Sequence, residues 1–448
     1  MATSPDLKLR LQAVQAARRV VIKVGTRLLT GVDGFSKDER VAQLVGEIAI
    51  LRQRGVEVVL VSSGAIGSGM RVLGVERRPA QLPRLQALAA VGQMRLMALY
   101  ESAARNHGFH CGQVLLCADD VRDRERHLNT AFCLDALLAE NVLPIINEND
   151  SVSVDEIKFG DNDRLAALVA LLARADLTLL LTSVDGLREH DGKVMGDRIS
   201  LVSGFDARIR AMARDTEDRN SSTGGMTSKL KAAESLAQAG EPTWIADGRD
   251  FSVLRRIFDG EDVGTLVWPT GNGRMSSRKR YLAFFSDPTG SVVVDEGAAR
   301  ALTACPGASL LARGVVDCSG SFERGDTVVV VDRVGRELAR GVTNYAAGQL
   351  RRVKGLHSRE INRLIEGGGY DCVIHRNYLV VTDSQESISV TQARSGYDDK
   401  ATEENRLQGR TGEHGAGCPA GRPQAGDPAK RPQGTLPEGH GRCDYGSG

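Results

Sequence analysis

Two clusters of amides and carboxylates stand close together in the chain. They are Asn147, Glu148, Asn149 and Asp150, then Gly160, Asp161, Asn162 and Asp163. The first follows an apolar run at 142–146, and the second precedes an apolar helical pattern. They therefore belong to the end of a buried strand and the start of a helix, where an open α/β sheet places its ligand groups. Amide donors there suit a carboxylate substrate. The carboxylates suit an ammonium group, a metal ion or the ordering of nearby lysines. The plain alternative is capping by Asp161 or Asn162 and a turn at Asn149-Asp150.

Four further segments carry groups of the same kind. Lys23 lies near the end of the first apolar run, in VVIKVGT, just before Gly25. An ammonium there can meet a phosphate while the backbone approaches closely, or it can face solvent as an ordinary strand lysine. SSGAIGSG at 62–69 is a glycine-rich turn after a second strand. Its N–H groups can form an anion nest with the following helix, or it is a tight turn only. The chain has no GxxxxGK[ST] loop, and this turn is not a GxGxxG fingerprint. Thr182 and Ser183 lead into Asp185-Gly186, a turn signal whose hydroxyls could line a nucleotide pocket. SSTGGMTSK at 221–229 runs hydroxyls and glycines into a helix start, another anion site. Lys229 in a first helical turn opposes the helix dipole, so helix stability does not account for it. Two glycine-rich anion sites, two isolated lysines and an Asn/Asp cluster fit phosphoryl transfer, which needs positioning and charge neutralisation above all.

The elements that position these groups alternate short β-branched runs with longer helical patterns over the first ~270 residues, the mark of an α/β fold with a mostly parallel sheet. Strands are expected at 19–24, 57–61, 113–116, 142–146, 177–181, 243–246 and 265–267. Helices are expected at 82–106, 126–140, 164–175 and 226–239, the last closed by Gly240. Another begins at Ser36 with Glu39 as a capping box and closes at Gly55. Residues 271–289 are richer in Pro, Gly, Ser and Arg and read as a linker. Short strands and frequent turns from 290 to 381 read as a small β-barrel domain, with a hairpin turn at Arg333-Val334-Gly335-Arg336. Residues 382–448 hold too few large apolar side chains to offset chain entropy and are expected to be disordered.

The totals narrow the function classes. A formal net charge of +1 over 448 residues gives no general pull toward nucleic acid or membrane. No apolar run approaches the ~20 residues that span a bilayer. The N-terminal stretch lacks an apolar signal region, so a cytoplasmic location is expected. The eight cysteines are scattered without CxxC or zinc spacing, so reduced thiols and no resident metal are expected.

The segments VVIKVGT, VSSGAIGSG, PIINENDSV, FGDNDRLAALVA and STGGMTSKLKAA, in that order, resemble glutamate 5-kinase of the amino-acid kinase superfamily. Residues 290–381 resemble a PUA domain, and together the two resemblances cover nearly all of 15–381. The resemblance implies a three-layer αβα sandwich at 15–270 with a mostly parallel central sheet, plus a PUA β-barrel. It implies phosphorylation of L-glutamate by ATP to L-glutamyl 5-phosphate, the first step of proline biosynthesis. Magnesium carried by the nucleotide, proline as feedback inhibitor and a homo-oligomer are implied with it. Lys23, Lys229 and Asp163 fall at catalytic positions, and Ser63, Asp150 and Asn162 at glutamate-binding ones. Lys23, Thr182, Ser183, Thr223, Gly224, Gly225, Met226, Thr227, Ser228 and Lys229 fall at ATP-binding ones. This chain departs from the family where Ser183 replaces a frequent Asp and Ser222 a frequent Gly. A sister kinase acting on acetylglutamate, aspartate or a nucleoside monophosphate is the alternative enzyme. RNA binding through the PUA domain is the alternative from another class. It rests on Arg351, Arg352 and Lys354, which lack interleaved aromatics and suit a solvated face. Family members usually end near residues 379–381, so the tail suggests translation past the normal stop or in a shifted frame.

Overall fold

The computed structural model describes residues 5–30, 36–152, 162–190, 195–215, 225–269, 273–304, 307–357, 360–361, 370 and 372–382. Thr223, Gly224, Asp161 and the stretch 383–448, expected to be disordered, lie outside the described residues.

Ten strands belong to the first part of the chain. They are β1 (Arg19–Val24), β2 (Glu57–Ser62), β3 (His110–Leu116), β4 (Val142–Glu148), β5 (Leu177–Thr182), β6 (Arg188–His190), β7 (Met195–Arg198), β8 (Leu201–Val202), β9 (Thr243–Asp247) and β10 (Thr265–Val267). Eight of them form one sheet in the order β3-β4-β2-β1-β5-β9-β10-β8. Pairing is parallel from β3 to β9, and β10 runs antiparallel to β9. The pair β6-β7 makes a separate antiparallel hairpin that the apolar pattern did not announce.

The apolar strands are buried on both faces, as parallel sheets require. Their side chains alternate between two cores. Val21, Val59, Val61, Ile146 and Leu180 face one core, which the helices Asn162–Ala173 and Met226–Ala239 complete. Val20, Ile22, Val24, Leu60 and Leu179 face the other, covered by the helices Lys37–Gln53 and Leu82–Arg105. This is the three-layer αβα arrangement. Lys23 is two residues from Val21, so it points to the same side as the helices that begin near Asp163 and Lys229.

The expected helix ends hold. Ser36 and Glu39 form the reciprocal capping box, and Gly55 and Gly240 take positive φ, +81° and +84°. The segment read as a linker is not a bare tether. A helical turn at Ser277–Arg280 continues into a π-helical turn at Tyr281–Phe285, and Leu282, Phe284 and Phe285 are buried in the first core. Arg280 pairs with fully buried Glu241 at 2.8 Å.

The second part of the chain carries β11 (Gly290–Val294), β12 (Val315–Gly320), β13 (Thr327–Val331), β14 (Glu337–Val342) and β15 (Leu379–Val381). They form a five-stranded mixed sheet in the order β12-β11-β13-β14-β15 around its own apolar core. The expected turn between β13 and β14 is present, with Gly335 at φ +86° and Asp332 accepting from the N–H groups of Val334 and Arg336.

Two devices shape the glycine-rich turn after β2. Gly64 takes φ +106° and caps the helix Ala65–Val72. Gly69 and Gly92 let this helix lie directly on Leu82–Arg105, because a Cβ on either would fall 1.9 Å from Leu88 O or 1.8 Å from Ala65 O. Beneath the turn, the buried Lys37 ammonium donates to Gly64 O at 3.3 Å and to the Ser68 hydroxyl.

Burial, with the Arg71 charge nearby, pushes the Lys37 pKa down from 10.5 to about 8. From pH 8 to 10.5 the unfolded chain then holds a proton that the folded chain has lost, so stability rises with pH across that window. The burial penalty is present below pH 8 and relieved above it. Denaturant unfolding of wild type and Lys37→Met at pH 7 and pH 10 should show wild type gaining at least about 1 kcal/mol relative to the variant at the higher pH. A constant difference would show that Lys37 is not held in this way.

Candidate active site

The C-terminal ends of β1, β2, β4 and β5 open onto one edge of the sheet, and the polar residues singled out in the sequence gather there. At the centre lies Asp163, fully buried at the start of Asn162–Ala173. Lys23 Nζ, from β1, is 2.5 Å from Asp163 Oδ1. Lys229 Nζ, from the first turn of Met226–Ala239, is 3.0 Å from Asp163 Oδ2. Both lysines are nearly buried, at 6% and 5% exposure. Among the described residues, these two ammonium groups face one carboxylate where water has little access. Buried ammonium groups are costly unless anions sit close to them.

The sequence explains each position. β1 carries Lys23 into the sheet centre, where it pairs in register with Val61 and Leu180. Gly225 precedes the helix Met226–Ala239 in extended conformation and, as a glycine, supplies no side-chain cap to its first turn. Lys229 sits in that turn for its pairing with Asp163. This resolves the conflict with the helix dipole noted in the sequence.

Beside this triad runs a line of hydrogen bonds. The Asn162 side-chain amide donates to the Ser63 hydroxyl and, at 3.3 Å, to Asn147 Oδ1. Asn147 Nδ2 donates to Gln93 Oε1 at 3.1 Å. Ser62, next to Ser63, shares a 2.8 Å hydrogen bond with Tyr100, both fully buried. Asp150, Gln93 and Asn149 line a cavity of ≈ 370 Å³, together with Ala65 of the glycine-rich turn's helix. Asn162 and Asp163, adjacent in the chain, thus serve different neighbours. Asn162 faces Ser63 and the amide line, and Asp163 faces the lysines.

Thr182 ends β5, two positions beyond the Leu180 that pairs with Lys23, and Ser183 follows the strand. Thr182 is half-buried and Ser183 exposed. Thr227 and Ser228 are half-buried in the turn that carries Lys229, whereas Met226 is packed into the core with Leu230. Gln93 and Lys37 were not singled out in the sequence, and Asn147 was named in the first cluster without a role of its own. Gln93 had a signal: it sits on the buried stripe Leu88, Ala89, Gly92, Leu96 of its helix, a place for apolar residues. Among the described residues no three His, Cys, Asp or Glu side chains gather to hold a metal ion. Asp163 gives its oxygens to lysines instead. Among the described residues no helix is long and apolar enough to cross a membrane.

Residues 18–247 match the amino acid kinase family, and residues 290–365 match the PUA domain. The chain is 44% identical over 370 residues to a protein named glutamate 5-kinase from Caldanaerobacter subterraneus subsp. tengcongensis, covering 82% of this chain and 99% of the relative. It is also 44% identical over 376 residues to a glutamate 5-kinase from a Marinomonas species, covering 83% of this chain and 99% of that one. The amino acid kinase match takes in Lys23, Asp163 and Lys229, and the PUA match falls in the mixed sheet domain. The chain belongs to the glutamate 5-kinases of the amino acid kinase family, with a C-terminal PUA domain.

Proposed function

We propose that the chain transfers the γ-phosphoryl group of ATP to the side-chain carboxylate of L-glutamate, giving L-glutamyl 5-phosphate, the first step of proline biosynthesis. The observation that carries this reading is the buried Lys23–Asp163–Lys229 triad at the mouth of the sheet. A carboxylate is already ionised at neutral pH, so the nucleophile needs no general base. What the reaction needs is a seat for the moving phosphoryl charge and a fixed approach for the carboxylate. Lys23 and Lys229 form the seat, and Asp163 holds both ammonium groups at fixed distance. Ser63, Asn162 and Asp150 hold glutamate, with Asp150 taking the α-ammonium.

The nucleotide lies against Thr182, Ser183 and the segment from Thr223 to Lys229, with the first-turn N–H groups of the helix at its phosphates. Magnesium enters as part of the Mg–ATP substrate. Proline, which presents an α-carboxylate and an ammonium of its own, competes at the glutamate end.

Hydroxylamine trapping with glutamate, N-acetylglutamate and aspartate in parallel tests the substrate. Glutamate alone should give hydroxamate efficiently, and added proline should raise the apparent KM for glutamate. Hydroxamate from another acid in preference to glutamate would overturn the reading. Steady-state kinetics test the division of labour. Lys229→Ala should lower kcat on the order of a hundredfold or more with little change in glutamate KM, as loss of a charge-stabilising donor does. Asp150→Ala should instead raise glutamate KM about ten- to a hundredfold, the value of a hydrogen bond to a charged group. Exchanged phenotypes would show the roles misassigned.

A further inference from the structure

Gln93 is 7% exposed, lies on the buried stripe of Leu82–Arg105 and lines the same cavity as Asp150. Its Oε1 accepts from Asn147. Its Nε2 has no hydrogen-bond partner among the described residues. A buried amide donor without an acceptor is a costly arrangement that is kept where a ligand completes it.

The hydrogen-bond line determines which atom is left over. Asn162 Nδ2 donates to both Ser63 Oγ and Asn147 Oδ1. Asn147 therefore presents its Nδ2 onward to Gln93 Oε1. This leaves a donor, Nε2, at the far end. Asn162 is next to Asp163 and the lysines, whereas Gln93 is two amides further along. The group that meets Gln93 is thus at the end of the substrate remote from phosphoryl transfer, where Asp150 also lines the wall. Two groups stand there on an α-amino acid. A carboxylate such as Asp150 suits the ammonium, and an amide donor suits the α-carboxylate.

We propose that Gln93 is a specificity-determining residue of the glutamate site, with its Nε2 donating to the substrate's α-carboxylate. This rests on the glutamate reading above. The glycine at position 92 brings the backbone of this helix against Ala65, so Gln93 enters the site from the same close contact that fixes the glycine-rich turn. Asn147 joins Gln93 to Asn162, so binding at the α-end also orders the amide nearest the reacting end.

The test uses Gln93→Glu, which keeps an acceptor for Asn147 and replaces the donor by a carboxylate oxygen, and Gln93→Leu as a second variant. Both are assayed by ADP release with L-glutamate and with isoglutamine, glutamate whose α-carboxylate is a carboxamide. Where isoglutamine does not turn over, its inhibition constant against glutamate is used. Gln93→Glu should raise glutamate KM about ten- to a hundredfold with kcat and ATP KM nearly unchanged. The preference for glutamate over isoglutamine should fall by a similar factor, because a carboxamide can donate to the new carboxylate. Gln93→Leu should weaken glutamate without favouring isoglutamine.

An unchanged preference in Gln93→Glu, with both compounds losing equally, would show that Gln93 acts only through packing and would overturn the inference. So would a lower glutamate KM in Gln93→Glu, which would place an acceptor against the ammonium. So would a fall in kcat at unchanged KM, which would place the residue at the reacting end. Absence of any glutamate turnover in wild type would overturn the underlying reading as well, and it is seen before any variant is compared.

Discussion

The molecule is organised around one buried carboxylate. Asp163 has no exposed surface, and ionised burial is tolerated only with close partners of opposite charge. Among the described residues two lysines supply this, from elements far apart in the chain, at 2.5 Å and 3.0 Å. One lysine would balance the charge. The second brings a further ammonium group to the same place, which suits an anionic ligand. Everything that brings β1 and the helices Asn162–Ala173 and Met226–Ala239 to one edge of the sheet contributes to this arrangement. The parallel order places the strand ends side by side, and the period-two alternation of β1 puts Val21 in the core and Lys23 in the site on the same face.

A second layer serves this centre without touching it. The close approach at Gly69 and Gly92 locks the glycine-rich turn's helix onto the long helix behind it. Lys37 ties the turn from below through Gly64 O and Ser68. Ser62 is held by Tyr100. These contacts fix Ser63, which in turn meets Asn162, and the amides continue to Asn147 and Gln93. The glycines that looked like an anion nest thus divide. Gly64 supplies the left-handed turn, whereas Gly69 is there for helix packing.

Much of this was legible in the chain. The strand cores, the Ser36–Glu39 box and the glycine helix ends follow from local pattern, because burial on both faces and capping chemistry leave direct marks. Lys229 was legible by contradiction, since a lysine in a first helical turn needs another reason to be there. The short β6-β7 hairpin left no mark, because three- and four-residue strands carry too little alternation. The packed turn at 277–285 was hidden by its flanks of Pro, Gly, Ser and Arg, although Leu282, Phe284 and Phe285 form its buried face. Gln93 and Lys37 were missed because their roles depend on what the fold brings opposite them. Gln93 meets Asn147 across 54 residues of chain, and Lys37 meets Ser68 across 31. No spacing rule reaches that far. Asn162 and Asp163 were named together, but only the structure separates their neighbours.

The central claim is that Asp163 acts by holding two lysines for the phosphoryl group, not by binding glutamate. Single-turnover measurement of phosphoryl transfer in Asp163→Asn, with glutamate binding measured in parallel, tests it most directly. The account predicts a transfer rate lower by two or more orders of magnitude, of the kind seen when preorganised charge is removed, with glutamate affinity changed only a few-fold. A near-normal transfer rate combined with lost glutamate affinity would contradict it.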